Sequence, residues 1–329
     1  MQTKRILFIN FGGLGDEILF LPTIQAVKKV FPNSYINLAL EKRSKGIMDL
    51  TNVIDDTLFT EIKNKNKYIE LIKLLIKIWK KKYDIVISSG SNKFISIFLF
   101  LTFIKEKYGY NTGLLSKILL TKAIDLNKKQ YAGQMYYDLV KTFATYDFSL
   151  PKLDIKKKPT LINSILIHPG VSKLSVQKGM IKTIDADKWA NVVEKLADSG
   201  KKVLLIGGPD DKECIETISQ LVPAEKYENL YGTTKNLKEL AELISSSELF
   251  LCSDSAPLHI AVALGIKTFV IFGPTDDKKL IPNSNNVVSI KANCNCPLRP
   301  CLWEKRQKTC EKKDCLNISV DKIVQTILS

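Results

Sequence analysis

Short apolar runs that end in glycine or serine alternate with helical segments along this chain, and this alternation constrains the fold more than any other feature. Residues 5–13 (RILFINFGG) form the first run, and a helical pattern over residues 17–30 follows it. Continuous apolar runs of this length are typical of buried parallel strands. Strands that alternate with helices predict a parallel sheet with helices on both faces, the doubly wound α/β class.

The alternation occurs twice, which predicts two domains. Further strands are predicted at residues 34–40, 83–90, 164–170, 201–208, 248–255 and 267–274, and further helices at residues 68–82, 186–199, 238–246 and 257–264. Between the two sets, residues 151–163 are polar with two prolines, as in a linker. We therefore predict Rossmann-like domains at residues 1–155 and 156–329. We expect a ligand in the cleft between them, outside the carboxyl ends of the strands, and the final helix could pack back on the first domain.

Composition and segment lengths exclude several classes of protein. The chain has 329 residues, of which 45% are hydrophobic, and this apolar content excludes disorder. The N-terminus does not have the pattern of a signal peptide. The longest apolar stretch, residues 94–104, has 11 residues, whereas a spanning helix needs about 20. We expect a cytoplasmic protein, with residues 94–104 in the core and contact with lipid as the alternative.

The positive charge is concentrated in the first half of the chain. The net charge is +15, and residues 1–160 carry 27 Lys and Arg against 14 Asp and Glu. This half should attract an anionic partner such as an acidic lipid or the inner face of the cytoplasmic membrane, with peripheral binding. Nucleic acid is disfavoured because no zinc-finger, homeodomain or RNA-platform motif is present. The alternative is a solvated, lysine-rich surface without a partner.

A glycine-rich turn follows the first predicted strand. Gly12, Gly13 and Gly15 would let the backbone turn sharply and approach a ligand. Neither the dinucleotide fingerprint nor a Walker lysine is present, so the turn does not resemble a nucleotide-binding loop. Asp16 follows at the start of the helix. Its carboxylate either complements the helix dipole or serves as a general base toward a hydroxyl.

The second half contains a segment suited to binding an anion. In SDSAPLHIA, Asp254 or Ser255 can cap a helix whose first turn contains Pro257. The free N–H groups at such a helix start suit a pyrophosphate. Both histidines of the chain, His168 and His259, lie in segments at predicted strand tips. Each could be a ligand contact or a core residue.

Taken together, these motifs resemble glycosyltransferase family 9, the ADP-heptose:lipopolysaccharide heptosyltransferases. The resemblance rests on GGLGDEILFLP, HPG, LLIGGPDD, SDSAPLHIAVALG and VIFGPTD, which occur in the family's order over nearly the whole chain. It implies the GT-B fold, two facing Rossmann-like domains, with the acceptor on the first and the nucleotide sugar on the second. Asp16 stands at the position of the catalytic base. Donor contacts are implied for Gly15, Gly170, Ser172, Lys182, Gly207, Gly208, Asp210, Asp254, Ser255, Ala256 and His259, with Asp211 as the alternative to Asp210 for the acid that binds ribose.

Two departures from the family pattern concern the donor. The usual DSG is DSA here, so Ala256 adds a methyl group near the expected phosphate. The usual K-x-W-P is K-T-I-D, from Lys182 to Asp185. Neither change removes a group that would take part in the reaction.

The resemblance implies an inverting glycosyltransferase. It would move heptose or a related sugar from ADP-heptose or a similar nucleotide sugar to a hydroxyl of a lipopolysaccharide core or another glycan, lipid-linked or acidic. No cofactor would be required for catalysis. Two alternatives remain open: a nucleotide-sugar epimerase of the GT-B fold, and a two-domain small-molecule binding protein without catalysis.

Five of the seven cysteines lie within 22 residues, spaced C-x-C-x4-C-x8-C-x4-C. In a cytoplasmic chain such a cluster is more often a metal site than a set of disulfides, but no Cys-x2-Cys pair of the usual zinc spacing occurs. Related autotransporter heptosyltransferases carry an iron-binding cysteine finger. A structural zinc or iron site at Cys296, Cys301, Cys310 and Cys315 is one possibility; reduced thiols and disulfides are the others. In each case we expect a structural role, with the cluster outside the strand-tip cleft.

Overall fold

The computed structural model describes residues 3–63, 65–177, 179–302, 310 and 312–329. It divides into two compact units, Met1–Asp154 and Ile155–Ser329. Each unit contains a six-stranded sheet in which every neighbouring pair of strands is parallel. The predicted α/β class, with a doubly wound sheet in each half, is confirmed.

The first unit has the strand order β3-β2-β1-β4-β5-β6. Its elements are β1 (Arg5–Ile9), α1 (Leu14–Val30), β2 (Tyr35–Glu41), β3 (Asp56–Thr60), α2 (Lys67–Trp79), β4 (Ile85–Ser88), α3 (Phe94–Leu101), β5 (Glu106–Tyr110), α4 (Leu114–Leu119), β6 (Lys122–Ile124) and α5 (Ala132–Tyr137). Strand order reverses between β1 and β4, and ligands of doubly wound sheets bind at such a point.

Successive side chains of β1 point to opposite faces of this sheet, because side chains alternate along a strand. On one face, the ring of Phe8 packs edge-on against Phe20 of α1, with centroids 5.8 Å apart. On the other face, Leu7 lies in a core cluster with Leu74 of α2 and Phe98 of α3. Helix α1 and the pair α2 and α3 therefore cover opposite faces.

Local signals explain where α1 and α2 begin. Helix α1 has Asp16 and Glu17 in its first turn, where negative charge complements the helix dipole. Helix α2 is capped by Asn66, whose side chain accepts hydrogen bonds from the backbone N–H groups of Tyr68 and Ile69. In the described part of the chain, no helix is long and apolar enough to span a bilayer.

The second unit has the strand order β12-β11-β10-β7-β8-β9. Its elements are β7 (Leu161–His168), α6 (Lys173–Gln177), α7 (Ala186–Asp198), β8 (Lys202–Leu205), α8 (Lys212–Leu221), β9 (Tyr227–Asn229), α9 (Leu237–Ser245), β10 (Ser247–Ser253), α10 (Ala256–Leu264), β11 (Lys267–Phe272), α11 (Asp277–Leu280), β12 (Val287–Lys291) and α12 (Val320–Leu328). The order reverses between β7 and β10, so these two strand tips mark the expected ligand position.

The core of the second unit forms around Trp189 of α7, which is fully buried among aliphatic side chains. The sequence allowed the final helix to pack back on the first domain, but its apolar side chains are buried within the second unit. In the structure α12 packs against α7, with Ile323 and Ile327 buried in the same core. An ion pair of 2.5 Å between Lys195 and Asp321 joins the outer sides of the two helices.

Candidate active site

The turn after β1 places Asp16 close to the backbone of the glycines that precede it. A Cβ at Gly12 would lie 2.3 Å from the Cβ of Asp16, so this position requires glycine. The N–H of Gly13 donates to Asp16 Oδ2 at 2.8 Å. The carboxylate is therefore fixed at the carboxyl end of the strand, and it keeps part of its surface open to solvent.

A second donor to Asp16 comes from far along the chain. The hydroxyl of Tyr136 in α5 donates to Asp16 Oδ1 at 3.3 Å. Burial, reinforced by the negative charge of Asp16, raises the pKa of the Tyr136 phenol well above its ordinary value, so the phenol remains a proton donor. Its ring packs edge-on against Phe20, with centroids 5.5 Å apart. The sequence carried no signal for this residue.

Two further charged residues surround the turn. Glu17 is buried, and burial together with the neighbouring Asp16 charge raises its pKa well above 4.5. A protonated Glu17 adds no second negative charge beside Asp16. Arg43, exposed at the end of β2, donates to the carbonyl of Gly12 at 3.4 Å. The edge of the first sheet thus presents one carboxylate with a guanidinium beside it.

In the second unit, a hydrogen-bond network joins the tips of β7 and β10. Ser253 Oγ, at the end of β10, donates to the carbonyl of Pro169 at 2.8 Å and lies 2.8 Å from Thr183 Oγ1. Thr183 also lies 2.9 Å from the indole nitrogen of Trp189, which donates to it. These contacts fix the segment that contains Lys182 against the reversal point of the sheet.

Lys182 and Asp254 form an ion pair at this point. Lys182 Nζ lies 3.2 Å from Asp254 Oδ2, and the Asp254 side chain is 4% exposed. The two residues are 72 positions apart, and the resemblance had assigned both to the donor. A cation with one buried partner, and part of its own surface exposed, can also bind an incoming phosphate.

A histidine and a carboxylate meet between the tips of β7 and β8. Asp211 Oδ2 accepts the N–H of Gly208 at 2.8 Å and lies 3.4 Å from His168 Nε2. A Cβ at Gly170 would lie 1.6 Å from Asp211 Oδ1, so glycine is required there too. Nδ1 of His168 is buried and has no hydrogen-bond partner among the described residues.

Asp211, rather than Asp210, is thus the acid held at the sheet. Asp210, the other acid named from the resemblance, is exposed and accepts the N–H of Lys173 at 2.8 Å. Ser172 is also exposed, and its Oγ lies 2.8 Å from that of Ser175. Gly207 lies beside Asp211, because a Cβ there would be 3.0 Å from the Asp211 Cβ.

The start of α10 has the predicted form. Ser255 is its N-cap residue, in an extended backbone conformation, and Pro257 occupies the first turn. Ser255 and Ala256 are partly exposed, whereas His259 is buried. The backbone N–H groups at this helix start lack helical acceptors and suit an anion. The predicted donor residue Gly15 lies in the first unit, in the first turn of α1.

A cavity of about 400 Å³ lies away from these strand tips. It is lined by residues of the later turns of α1, among them Gln25 and Lys29, and by Tyr146. None of the predicted site residues lines it, and we assign it no role in the reaction.

The cysteines follow the carboxyl end of β12. The N–H of Cys301 donates to the carbonyl of Pro274 at 2.9 Å, and Arg299 donates to the carbonyl of Phe272 at 3.0 Å. This segment therefore lies at the site edge of the sheet, not away from it as expected. Burial raises the pKa of the Cys315 thiol to about 11, so it stays protonated.

The predicted metal site is not confirmed in the described part of the chain. None of the seven cysteines, all of which the structure describes, forms a disulfide. Among the residues that are described, no three His, Cys, Asp or Glu side chains are arranged to hold a metal ion. Residues 303–309, between two of the predicted ligands, lie outside the described part of the chain. We assign no chemical step to a metal at the cysteines.

Comparison with known proteins shows which family the chain resembles. The model of glycosyltransferase family 9 (heptosyltransferase) matches residues 71–312. Lipooligosaccharide heptosyltransferase 2 of Campylobacter jejuni is 25% identical over 333 residues, which cover 95% of each chain. Lipopolysaccharide heptosyltransferase 3 of Escherichia coli is 27% identical over 301 residues, covering 84% of this chain and 86% of its own.

The fold comparison points to the same class. The structure of the E. coli heptosyltransferase WaaC with ADP-2-deoxy-2-fluoro heptose aligns with a TM-score of 0.72 at 15% identity, covering 98% of this chain and 99% of its own. The two Rossmann-like units have the GT-B fold, and the family match makes the chain a glycosyltransferase. The chain belongs to glycosyltransferase family 9, the heptosyltransferase family. The resemblance stated from the sequence is thereby confirmed.

Proposed function

We propose that this protein is an inverting heptosyltransferase of lipopolysaccharide core synthesis. It moves heptose, or a closely related sugar, from ADP-heptose or a similar nucleotide sugar to a hydroxyl of the growing core. The observation that carries this proposal is the Asp16 carboxylate, held at a strand tip by Gly13 and Tyr136 with part of its surface exposed. The names of the matching relatives supply the sugar and the pathway.

The donor binds to the second unit in this proposal. Its diphosphate lies at the start of α10, where Ser255 and Ala256 present N–H groups, and beside the Nζ of Lys182. Asp211 and His168 at the neighbouring strand tips face the nucleoside part. These residues fit a nucleoside diphosphate, because fixed N–H dipoles and one cation complement its charge.

The acceptor binds to the first unit. The exposed guanidinium of Arg43 lies beside the Gly12–Gly13 turn and complements an acidic glycan. The positive charge of this half favours the same class of acceptor. We therefore propose a lipid-linked, acidic core oligosaccharide and a peripheral location on the inner face of the cytoplasmic membrane.

The proposed reaction is a single displacement. Asp16 accepts the proton of the acceptor hydroxyl while its oxygen forms a bond to the anomeric carbon. The bond from that carbon to the diphosphate oxygen breaks, and the nucleoside diphosphate leaves with the electron pair. Lys182 and the N–H groups at the start of α10 stabilise the charge on the leaving group, so transfer needs no metal ion. Attack opposite the leaving group inverts the anomeric configuration.

The proposal is tested by mass spectrometry of the acceptor. The protein is incubated with ADP-heptose, UDP-glucose or GDP-mannose and a series of truncated lipopolysaccharide cores. We expect one heptose to be added from ADP-heptose and at least tenfold less product from the other donors. Asp16→Asn should lower turnover about 100-fold or more. The control Asp147→Asn, which changes an exposed acid of the same unit, should retain full activity.

The alternatives give different results in this assay. An epimerase would convert the donor into an isomer without adding mass to the acceptor. A binding protein would bind a nucleotide sugar without producing either product. Full activity of Asp16→Asn would remove Asp16 from the mechanism and leave its carboxylate a role in capping α1.

A further inference from the structure

Three helices on one face of the first sheet expose large apolar side chains to solvent. Tyr68 of α2 is 75% exposed, Phe94 of α3 is 70% exposed and Leu114 of α4 is 74% exposed. Monomeric soluble proteins rarely leave so many large apolar side chains exposed together. The full set, which we call the apolar face, comprises Tyr68, Ile69, Ile72, Ile76, Trp79, Phe94, Ile97, Phe100, Leu101, Phe103, Leu114, Leu115 and Ile118.

The apolar face is continuous across the three helices. The ring of Trp79, at the end of α2, lies 6.1 Å from that of Phe103, and its indole N–H donates to the carbonyl of Leu101 at 2.8 Å. Helix α3 in turn packs against α4. The other sides of these helices do form core, as Phe98 and Leu99 show. Residues 94–104 are thus half core and half surface, so the expected core position holds for only part of the segment.

Phe103 adds an observation of a different kind. Its φ is 57°, in the left-handed region, and its side chain is 74% exposed. Left-handed backbone is costly for a bulky residue, and exposure of the ring adds a further cost. A polar residue such as asparagine would suit this position better in water. The fold therefore keeps an aromatic ring where stability alone does not favour one.

The net charge around the apolar face is positive. Residues 65–122 contain 12 Lys, no Arg and 3 acidic residues. Each acid is already engaged: Glu70 pairs with Lys73 at 2.9 Å, Asp84 accepts the N–H of Arg5, and Glu106 lies 3.8 Å from Lys4. Lys80, Lys93 and Lys117 are among the exposed lysines near its edges. A partner for this surface must be both apolar and negatively charged.

We propose that the apolar face docks into an anionic lipid bilayer, with its aromatic and aliphatic side chains at the level of the headgroups and the lysines on the lipid phosphates. Helices with apolar side chains and lysines bind membrane interfaces in this way. A second copy of the chain would bring a like-charged surface against this one, which disfavours self-association. The inference rests on the proposed function, which gives the enzyme a lipid-linked acceptor.

Vesicle sedimentation tests the proposal. The protein is mixed with vesicles of phosphatidylcholine alone or with 30% phosphatidylglycerol. We expect at least tenfold tighter binding to the anionic vesicles at 0.1 M salt, and a steep loss of binding at 1 M salt. The variant Lys80→Gln/Lys93→Gln/Lys117→Gln should bind at least tenfold more weakly, since each lysine near the surface is worth about fivefold. Equal binding to both vesicles, or none to either, would overturn the proposal.

Matched variants separate lipid contact from general surface effects. Phe94→Ser/Phe103→Asn/Leu114→Ser should lose at least tenfold in vesicle binding. The control Ile162→Ser/Leu221→Ser/Leu328→Ser removes three exposed apolar side chains of the second unit and should bind as the original protein does. Phe103→Asn alone should bind more weakly at an unchanged or higher melting temperature. An unchanged affinity of the triple apolar variant would contradict the assignment of this surface.

Two further measurements distinguish the inference from its competitors. Light scattering should find the same mass for the original protein and the triple apolar variant; a dimer that only the original protein forms would assign the face to self-association instead. Transfer of sugar to a lipid-free core oligosaccharide should be unchanged in all these variants. If the variants lose vesicle binding but still transfer sugar, the apolar face acts in docking and not in the reaction. If the original protein itself transfers no sugar, the proposed function is contradicted.

Discussion

The substitution Gly170→Ala tests how the second unit builds its site. A Cβ at this position would lie 1.6 Å from Oδ1 and 2.3 Å from Cγ of Asp211. Non-bonded carbon atoms rest about 3.5 Å apart, so the carboxyl group must move by roughly 1 Å or more. Asp211 is 6% exposed and bonded to the N–H of Gly208 at 2.8 Å, so its side chain has little freedom to move while it keeps its contacts.

Displacement of Asp211 should weaken donor binding by a calculable amount. A hydrogen bond to a charged group contributes about 1.5–3 kcal/mol. Losing one such contact corresponds to a rise in Kd of roughly tenfold to a hundredfold. Titration calorimetry with ADP measures this change directly, and circular dichroism establishes that the variant is folded. We expect its melting temperature to fall as well, because the 3.4 Å contact between Asp211 and His168 is lost.

A neighbouring glycine provides the matched control. A Cβ at Gly208 would lie 3.9 Å from Asp211 Oδ2, an ordinary contact, and the φ of Gly208 is −96°. Gly208→Ala should therefore leave the Asp211 side chain in place, and its melting temperature should match that of the original protein. Gly170→Ala should add nothing in an Asp211→Ala background, because the group it displaces is absent. The reasoning would be refuted if Gly170→Ala bound ADP as tightly as the original protein does. It would also be refuted if the effects of Gly170→Ala and Asp211→Ala on ADP binding were fully additive.

Three other perturbations follow from the same contacts. Burial raises the Glu17 pKa above 4.5, so folding becomes less favourable as the pH rises from that value toward the folded-state pKa. Glu17→Gln removes this loss, so the melting temperature of the variant should rise relative to that of the original protein between pH 5 and 8. A difference that stays constant with pH would argue against a raised pKa. Lys182→Met should lower both stability and turnover, because it leaves Asp254 buried without its cation. The double variant Lys182→Met/Asp254→Asn should recover the melting temperature but not the activity. Recovery of both would make the pair purely structural. Chelation with EDTA should leave the initial rate unchanged; a rate that vanished and returned only with magnesium or manganese would show that Lys182 and the α10 start do not suffice for the leaving group.

The fold could be predicted where strands are central and apolar. The strands at β1, β7, β10 and β11 are buried on both faces, and each was placed within a few residues. The missed strands lie toward the sheet edges, where the strands are less buried and show no clear pattern of apolar residues. Strand β5 (EKYGY) is only partly buried at its start, and β6 has three residues. Neither leaves a hydrophobic run long enough to recognise.

Two candidate site residues could be named from their position after a strand, whereas Lys182, which does not directly follow one, was named mainly from the family resemblance. Asp16 and Asp254 stand at strand tips, and position alone marked them as candidates. Tyr136 could not be found this way, because it reaches Asp16 across 120 residues from a helix without any motif. The resemblance could not choose between Asp210 and Asp211, because two adjacent acids look equivalent in sequence. Only the helical turn decides which of them faces the Gly208 N–H.

The anomeric configuration of the transferred sugar tests the central claim most directly. A single displacement driven by Asp16 must invert the configuration at the anomeric carbon of the transferred sugar. NMR of the donor and of the product distinguishes the two configurations by the one-bond carbon–proton coupling at the anomeric position. The proposed mechanism predicts the inverted product alone. A product that retains the donor configuration would require either a covalent intermediate or attack from the leaving-group side, and would contradict the role given to Asp16.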